Sequence, residues 1–174
     1  WHMANQETNN FEFCDPDSGY CTWKFDSLVR GLLIAENGKR FINEHNNGNS
    51  THGHVNVGGT WFTPCLPDLC WEIGDAERFS RGPLYKNWSA DNADEINKGW
   101  VVQGDTLEEL AVNLGMTEEA TAALLDTVEQ WNRFCENGRD DAFDVAEEYL
   151  VPMAEGPYYA VRLHHPIVNT QGGA

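Results

Sequence analysis

Basic residues are what this sequence most lacks: 11 Lys and Arg stand against 28 Asp and Glu, a formal net charge of −17 over 174 residues. A surface that acidic repels polyanions and argues against nucleic acid or an anionic bilayer as partner. Long apolar runs are missing too. No stretch approaches the roughly 20 apolar residues needed to span a bilayer, and the first residues lack the charged-then-apolar order of a signal peptide, so no membrane insertion is expected. Cysteine is scarce and irregularly spaced. Cys14, Cys21, Cys65, Cys70 and Cys135 include no C-x-x-C pair and fit neither a zinc ribbon nor a disulfide framework. They read as free or buried thiols in a reducing compartment. Cys14 and Cys21 nonetheless flank a Pro-Asp-Ser-Gly turn and could pair in an exported protein, which leaves cytoplasm and cell envelope both open.

Aromatic residues are plentiful. Seven Trp and eight Phe in a chain of this length supply a packed interior or an apolar cleft, and 174 residues suffice for one domain with a proper core. Trp1 in place of a methionine, and a close on Thr170-Gln171-Gly172-Gly173-Ala174, read as an excerpt from a longer protein.

The elements are legible in places. Leu32-Leu33-Ile34, the turn residues Glu36-Asn37-Gly38 and then Lys39-Arg40-Phe41-Ile42 predict a β-hairpin, with Arg40 on rigid backbone and Glu44 four residues on. Residues 1–22 read as irregular with one short strand, and 46–54 as a polar loop. Leu69 to Ile73 reads as a buried strand, with Asp75 capping a short helix through Arg78. Trp100 to Gln103 predicts a strand. Asp105 is expected to cap a helix whose Leu107, Leu110, Ala111 and Leu114 share one face, and Thr117 to start a second with Leu124, Val128, Trp131 and Cys135 as its stripe. Tyr158 to Leu163 alternates as a strand. The sum is an α+β domain of small sheets with a two-helix unit.

Chemistry-bearing residues gather in three places. His52 and His54 flank Gly53, and a turn there aims both at one cleft, although metal binding needs three or four ligands and no third lies at a convincing spacing even with His45 near. They are expected to face a substrate or solvent, and no metal is expected. Arg40 and Glu44 form the second group. Gly172-Gly173 after a strand permits a close backbone approach to a ligand, or a plain turn.

Taken together, several segments resemble a known family. Gly38-Lys39-Arg40-Phe41-Ile42-Asn43-Glu44 looks like the G-K-R-F-x-N-E hairpin of the fumarate reductase and succinate dehydrogenase flavoproteins. The order continues with the Asp105-Thr106-Leu107-Glu108-Glu109-Leu110 helix start, the helix ending in Trp131-Asn132, and Gly156-Pro157-Tyr158-Tyr159-Ala160 leading to Thr170-Gln171-Gly172-Gly173. The resemblance implies an FAD-binding domain elsewhere in the same chain, since no G-x-G-x-x-G occurs here. Residues 1–174 would then be a single capping, substrate-binding domain, with 1–10 and 165–174 as its connections. It implies hydride transfer between flavin and an activated C=C bond, with Arg40 as proton donor and Glu44 beside it. His52, His54, Tyr159 and Asn169 would hold a small unsaturated substrate, Thr170, Gln171, Gly172 and Gly173 would meet FAD, and an electron-donor protein is a further implied partner. The isolated excerpt is expected to be inactive. An arginine acid is unusual, because its pKa lies above about 12. Two departures point away from fumarate itself. Val168 and Asn169 stand where dicarboxylate-reducing members carry a histidine pair, and no threonine-glutamate pair occurs near Phe25-Asp26-Ser27. An enoate or cyclic enone fits better. The competing readings are a small-ligand or glycan binding module without redox chemistry, and a bare structural domain.

Overall fold

The computed structural model describes residues 13–19, 21–22, 31–45, 50–51, 54–57, 59–62, 67–85 and 87–164, with 21–22, 50–51, 54–57 and 61–62 described through the backbone alone. At its centre lies a four-stranded antiparallel sheet, and its strands are not consecutive in the chain: β3 (Leu32–Ala35), β7 (Cys70–Gly74), β9 (Tyr158–Leu163) and β8 (Val101–Gly104) stand in that order. Both faces of this sheet are covered, which is why Leu32-Leu33-Ile34 is an unbroken apolar run rather than an alternating one. Leu32, Ile34, Trp71, Ile73 and Ala160 face the helices α3 (Leu107–Asn113) and α4 (Glu118–Asn137). Leu33, Cys70, Val101, Val161 and Leu163 face the other way, onto Phe13, Leu84, Tyr85 and Trp88.

Two smaller sheets flank this core. Strands β1 (Phe13–Cys14) and β2 (Cys21–Thr22) pair across the Pro16–Gly19 turn. Strands β4 (Ser50–Thr51), β5 (His54–Val57) and β6 (Thr60–Phe62) form a meander, so the segment read as a polar loop contains strands instead. Its polar composition hid them because no apolar alternation marks β4. Cys14 is disulfide-bonded, which corrects the reading of all five cysteines as thiols; β-pairing sets Cys21 directly opposite it, and Cys70 and Cys135 are free.

Local chemistry accounts for the helix boundaries. Asp75 caps α1 (Ala76–Ser80) by accepting the Arg78 N–H, and Thr117 caps α4 by accepting the Ala120 N–H. The cap of α3 lies one residue later than the sequence suggested. Thr106 accepts the Glu109 N–H at 3.1 Å while Glu109 takes the Asp105 N–H at 2.9 Å, so the reciprocal pair is built on Thr106 and Glu109 rather than Asp105 and Glu108. Leu110, Ala111, Leu124, Val128 and Trp131 are buried as the stripes predict. A short helix α2 (Ala93–Asn97) follows the loop that Leu84, Tyr85 and Trp88 pin down.

The expected hairpin exists only as its first half. The Gly38 N–H bonds to the Ala35 carbonyl and the Ala35 N–H to that of Lys39, but beyond the turn a single bridge, Ile34 to Arg40, replaces the second strand. Gly38 is required twice over. Its φ is +78°, and a Cβ there would lie 2.1 Å from the Ala120 carbonyl oxygen of α4. Gly38→Ala should therefore lower unfolding free energy by more than the roughly 1–3 kcal/mol that left-handed backbone costs alone. Urea denaturation of this chain measures it, and a change below 1 kcal/mol would show that α4 gives way freely.

Candidate functional site

The second arm of the hairpin is missing because its side chains are engaged elsewhere. Arg40 turns inward, its side chain 4% exposed. Its Nε and Nη2 donate to the two oxygens of Glu44 at 2.8 and 2.7 Å, and Nη2 also donates to Asp140 Oδ2 at 2.9 Å. The guanidinium lies 4.7 Å over the Trp131 ring and 4.9 Å over that of Phe143. Glu44 Oε1 also accepts the Leu33 N–H, which anchors the cluster to β3. Two carboxylates on one guanidinium, in a site closed by aromatic faces, form a strongly coupled buried group. Burial opposes the Arg40 charge, but Glu44 and Asp140 outweigh it and raise its pKa above the ordinary arginine value. A proton held more tightly than on a free guanidinium is poorly placed to leave, so this geometry favours fastening over proton donation.

What Arg40 fastens is the segment from Arg139 to Pro157. Asn43 Nδ2 donates to the carbonyls of Phe143 and Asp144, and His45 stacks on Tyr149 with centroids 4.4 Å apart. Further on, Trp131 Nε1 donates to the Val151 carbonyl, and Asn132 exchanges two bonds with Met153. At the far end Asp75 Oδ2 accepts the Ala154 N–H, and Arg78 donates to the carbonyls of Val151 and Pro152. The segment is thus a strap sewn to three elements before it enters β9.

β9 presents Tyr159 on the sheet face away from α4, so the structure does not bring Tyr159 and Arg40 into one cavity. The Tyr159 ring stacks on Phe79 at 3.8 Å and 8°. Beside it Glu72 of β7, buried, accepts the Gly31 N–H at 2.6 Å and the Tyr85 hydroxyl at 2.8 Å. Tyr159, Glu72, Arg78 and Gly31 line a cavity of about 20 Å³, room for one water. Burial, and then the charge of Asp105, raise the Tyr159 pKa, so at neutral pH it is a phenol that can donate a hydrogen bond. His54 lies in β5, described by its backbone, while His52, Asn169 and Thr170 to Gly173 fall outside the described residues. Among the described residues no group of three or more His, Cys, Asp or Glu could hold a metal.

Sequence reasoning did not find Asp140, Glu72 or Phe79. Asp140 sits in a polar run, Arg139-Asp140-Asp141, and nothing local distinguishes the buried acid from its exposed neighbour. Glu72 had one signal, a lone carboxylate inside an apolar strand.

Asp140 generates a test with a defined sign. Burial works against its charge, but Arg40 and the Ala142 and Phe143 N–H groups outweigh it and hold its pKa below the ordinary aspartate value. Its stabilisation is therefore complete above the unfolded pKa of about 3.9 and lost as pH falls through the lower folded value. Asp140→Asn should be clearly less stable than wild type at pH 7, and the gap should narrow below about pH 4. Arg40→Ala, leaving two buried carboxylates without their cation, should cost about 3–5 kcal/mol. Thermal melts across pH check both.

No family model matches the chain. It is 35% identical over 148 residues to the NADH:fumarate oxidoreductase of Klebsiella pneumoniae, covering 83% of this chain and 14% of that protein. Over 164 residues it is 33% identical to the NADH:acrylate oxidoreductase of Vibrio harveyi, covering 91% of this chain and again 14% of the relative. The chain thus spans about a seventh of these relatives' length. In fold it matches the solution structure of a fumarate reductase flavoprotein subunit from Lactobacillus plantarum, with a TM-score of 0.55 at 16% identity over 79% of this chain and 84% of that one. With reductases similar along most of its length and much longer than itself, the chain belongs to the fumarate reductase/succinate dehydrogenase flavoprotein family.

Proposed function

We propose that this chain is the capping, substrate-facing part of an FAD-dependent oxidoreductase acting on an activated C=C bond. The observation that carries the reading is similarity over 83% and 91% of the chain to proteins named for the reduction of fumarate and of acrylate. Both are enoates, which makes an α,β-unsaturated acid or carbonyl the substrate class. When bound, the flavin supplies hydride exchange with the alkene carbon. The described residues do not fit a role in holding it: the cavity beside Tyr159 admits about one water, and no dinucleotide fingerprint precedes a helix here. In this reading the flavin is held chiefly by sequence outside the chain, and Thr170 to Gly173 meet it at the return.

The chain's own residues then have distinct tasks. Tyr159, a neutral phenol near the start of β9, donates a hydrogen bond to the substrate carbonyl, and His52, His54 and Asn169 complete the polar side. Arg40 and Glu44 act through position. They hold the segment that leads toward β4 and β5, and through Asp140 the strap that delivers Tyr159. Val168 and Asn169, in place of a histidine pair, support an enoate or enone other than fumarate.

The test is the complete protein. A flavin absorbance band and turnover with a panel of enoates, enones and fumarate are expected, with fumarate below the best substrate. Absence of flavin removes the redox reading, whereas fumarate as the best substrate removes only the substrate assignment. Tyr159→Phe should raise KM more than it lowers kcat, as expected when one ground-state hydrogen bond is lost. An unchanged KM would take Tyr159 out of the site.

A further inference from the structure

Past the end of α3, from Trp71 and Val102 on the helix side of the sheet round to Phe13 and Trp100, lies an open depression of about 510 Å³. That volume is within the range of small-molecule sites. Trp71, Trp100, Val102 and Leu114 supply apolar surface, and Arg162 and His164, at the end of β9, supply the polar side. β-pairing sets Arg162 directly across from Trp71, so a cation stands beside the indole floor.

The charge of this depression contrasts with that of the molecule. The chain carries 28 Asp and Glu, yet none among the described residues lines it, whereas the adjoining depression that shares Trp71 and Leu114 includes Glu36 and Glu119. Arg162 is exposed and makes no ion pair among the described residues, although the other described arginines, Arg40, Arg78, Arg81, Arg133 and Arg139, are all paired with carboxylates. In a protein with this excess of acid, a guanidinium without an ion pair among the described residues, on the strand position opposite Trp71, is an attractive position for an anion. His164 sits beside it. Burial, and then Arg162, lower its pKa, so near pH 7 Arg162 carries the charge and His164 serves as a neutral hydrogen-bonding partner.

We propose that this depression is a second binding site, separate from the Tyr159 face, for a small amphipathic monoanion: a carboxylate on a flat aromatic or alkenyl body. One guanidinium without a cradle of backbone N–H groups suits a carboxylate better than a phosphate dianion, and Lys98, 4.3 Å over the Trp100 ring, adds to the positive field. The Trp71 indole takes the flat body, bordered by Trp100, whose ring carries Lys98 at 4.3 Å. The proposal needs no flavin and stands whether or not the redox reading does.

The probe is trans-cinnamate, titrated into the 174-residue chain and followed by ¹H–¹⁵N NMR, with cinnamamide and inorganic phosphate as controls. Saturable shifts at the Trp71 and Trp100 indole N–H groups are expected for cinnamate, with cinnamamide and phosphate at least about tenfold weaker, the scale of one lost charge-assisted hydrogen bond. Arg162→Gln should weaken cinnamate by a similar factor, while Arg162→Lys should retain most of the binding. Equal binding of cinnamate and cinnamamide, shifts centred elsewhere, no saturable binding, or an unchanged Arg162→Gln would each overturn it. Should Arg162→Gln fail to give a folded spectrum, the ligand series on the wild-type chain decides alone.

Discussion

The buried contact of one guanidinium with two carboxylates, Arg40 with Glu44 and Asp140, is the constraint on which the rest of the arrangement depends. A charge taken out of water must be repaid by geometry, and here the geometry spans the chain. Glu44 ties the cluster to β3 through the Leu33 N–H, Trp131 brings in α4, and Asp140 brings in a loop one hundred residues away. Such a cluster is specific rather than strongly stabilising. Exchanged whole for apolar residues it could be matched in energy, but with one member missing the others are left charged and unpaired.

That specificity has a structural consequence. The strap from Arg139 to Pro157 has little regular structure, a single 3-10 turn at Glu147–Tyr149, so hydrogen bonding within it cannot fix its path. Side chains from elsewhere do so instead: Asn43 at its start, Trp131 and Asn132 in its middle, Asp75 and Arg78 at its end. Because the strap feeds directly into β9, these contacts determine where Tyr159 and Arg162 emerge on the two faces of the sheet. The same strand serves both candidate surfaces, and its alternation keeps them apart.

How much of this could be read in advance depended on the range of each interaction. Helices α3 and α4 were legible because their signals are local: a hydroxyl cap, an acidic first turn, a period of 3.6 and a closing glycine. At Asp105 and Thr106 two local signals with the same three-residue spacing competed, and the structure uses Thr106 with Glu109. The hairpin was half legible. Its turn is encoded by Gly38, but its second arm was decided by Asp140 and Trp131, which no window around Arg40 contains. The β4 strand was missed because two polar residues show no alternation, whereas β5, His54-Val55-Asn56-Val57, does alternate and its signal was passed over. Glu72 shows a signal available but passed over, since a carboxylate inside an otherwise apolar strand must find partners and finds them in Gly31 and Tyr85.

The role of Arg40 follows from the same reasoning. In the sequence, an arginine after a tight turn with a glutamate four residues on fits a proton relay as well as a fastener, because both need a cation held beside a carboxylate. The second carboxylate separates the two. One acid beside Arg40 could accept a proton and pass it on, but Asp140 adds a second negative charge that further disfavours neutral arginine. Trp131 and Phe143 then lie against the guanidinium, at 4.7 and 4.9 Å. The geometry shown is that of a fastener: two carboxylates and two aromatic rings engage the one guanidinium.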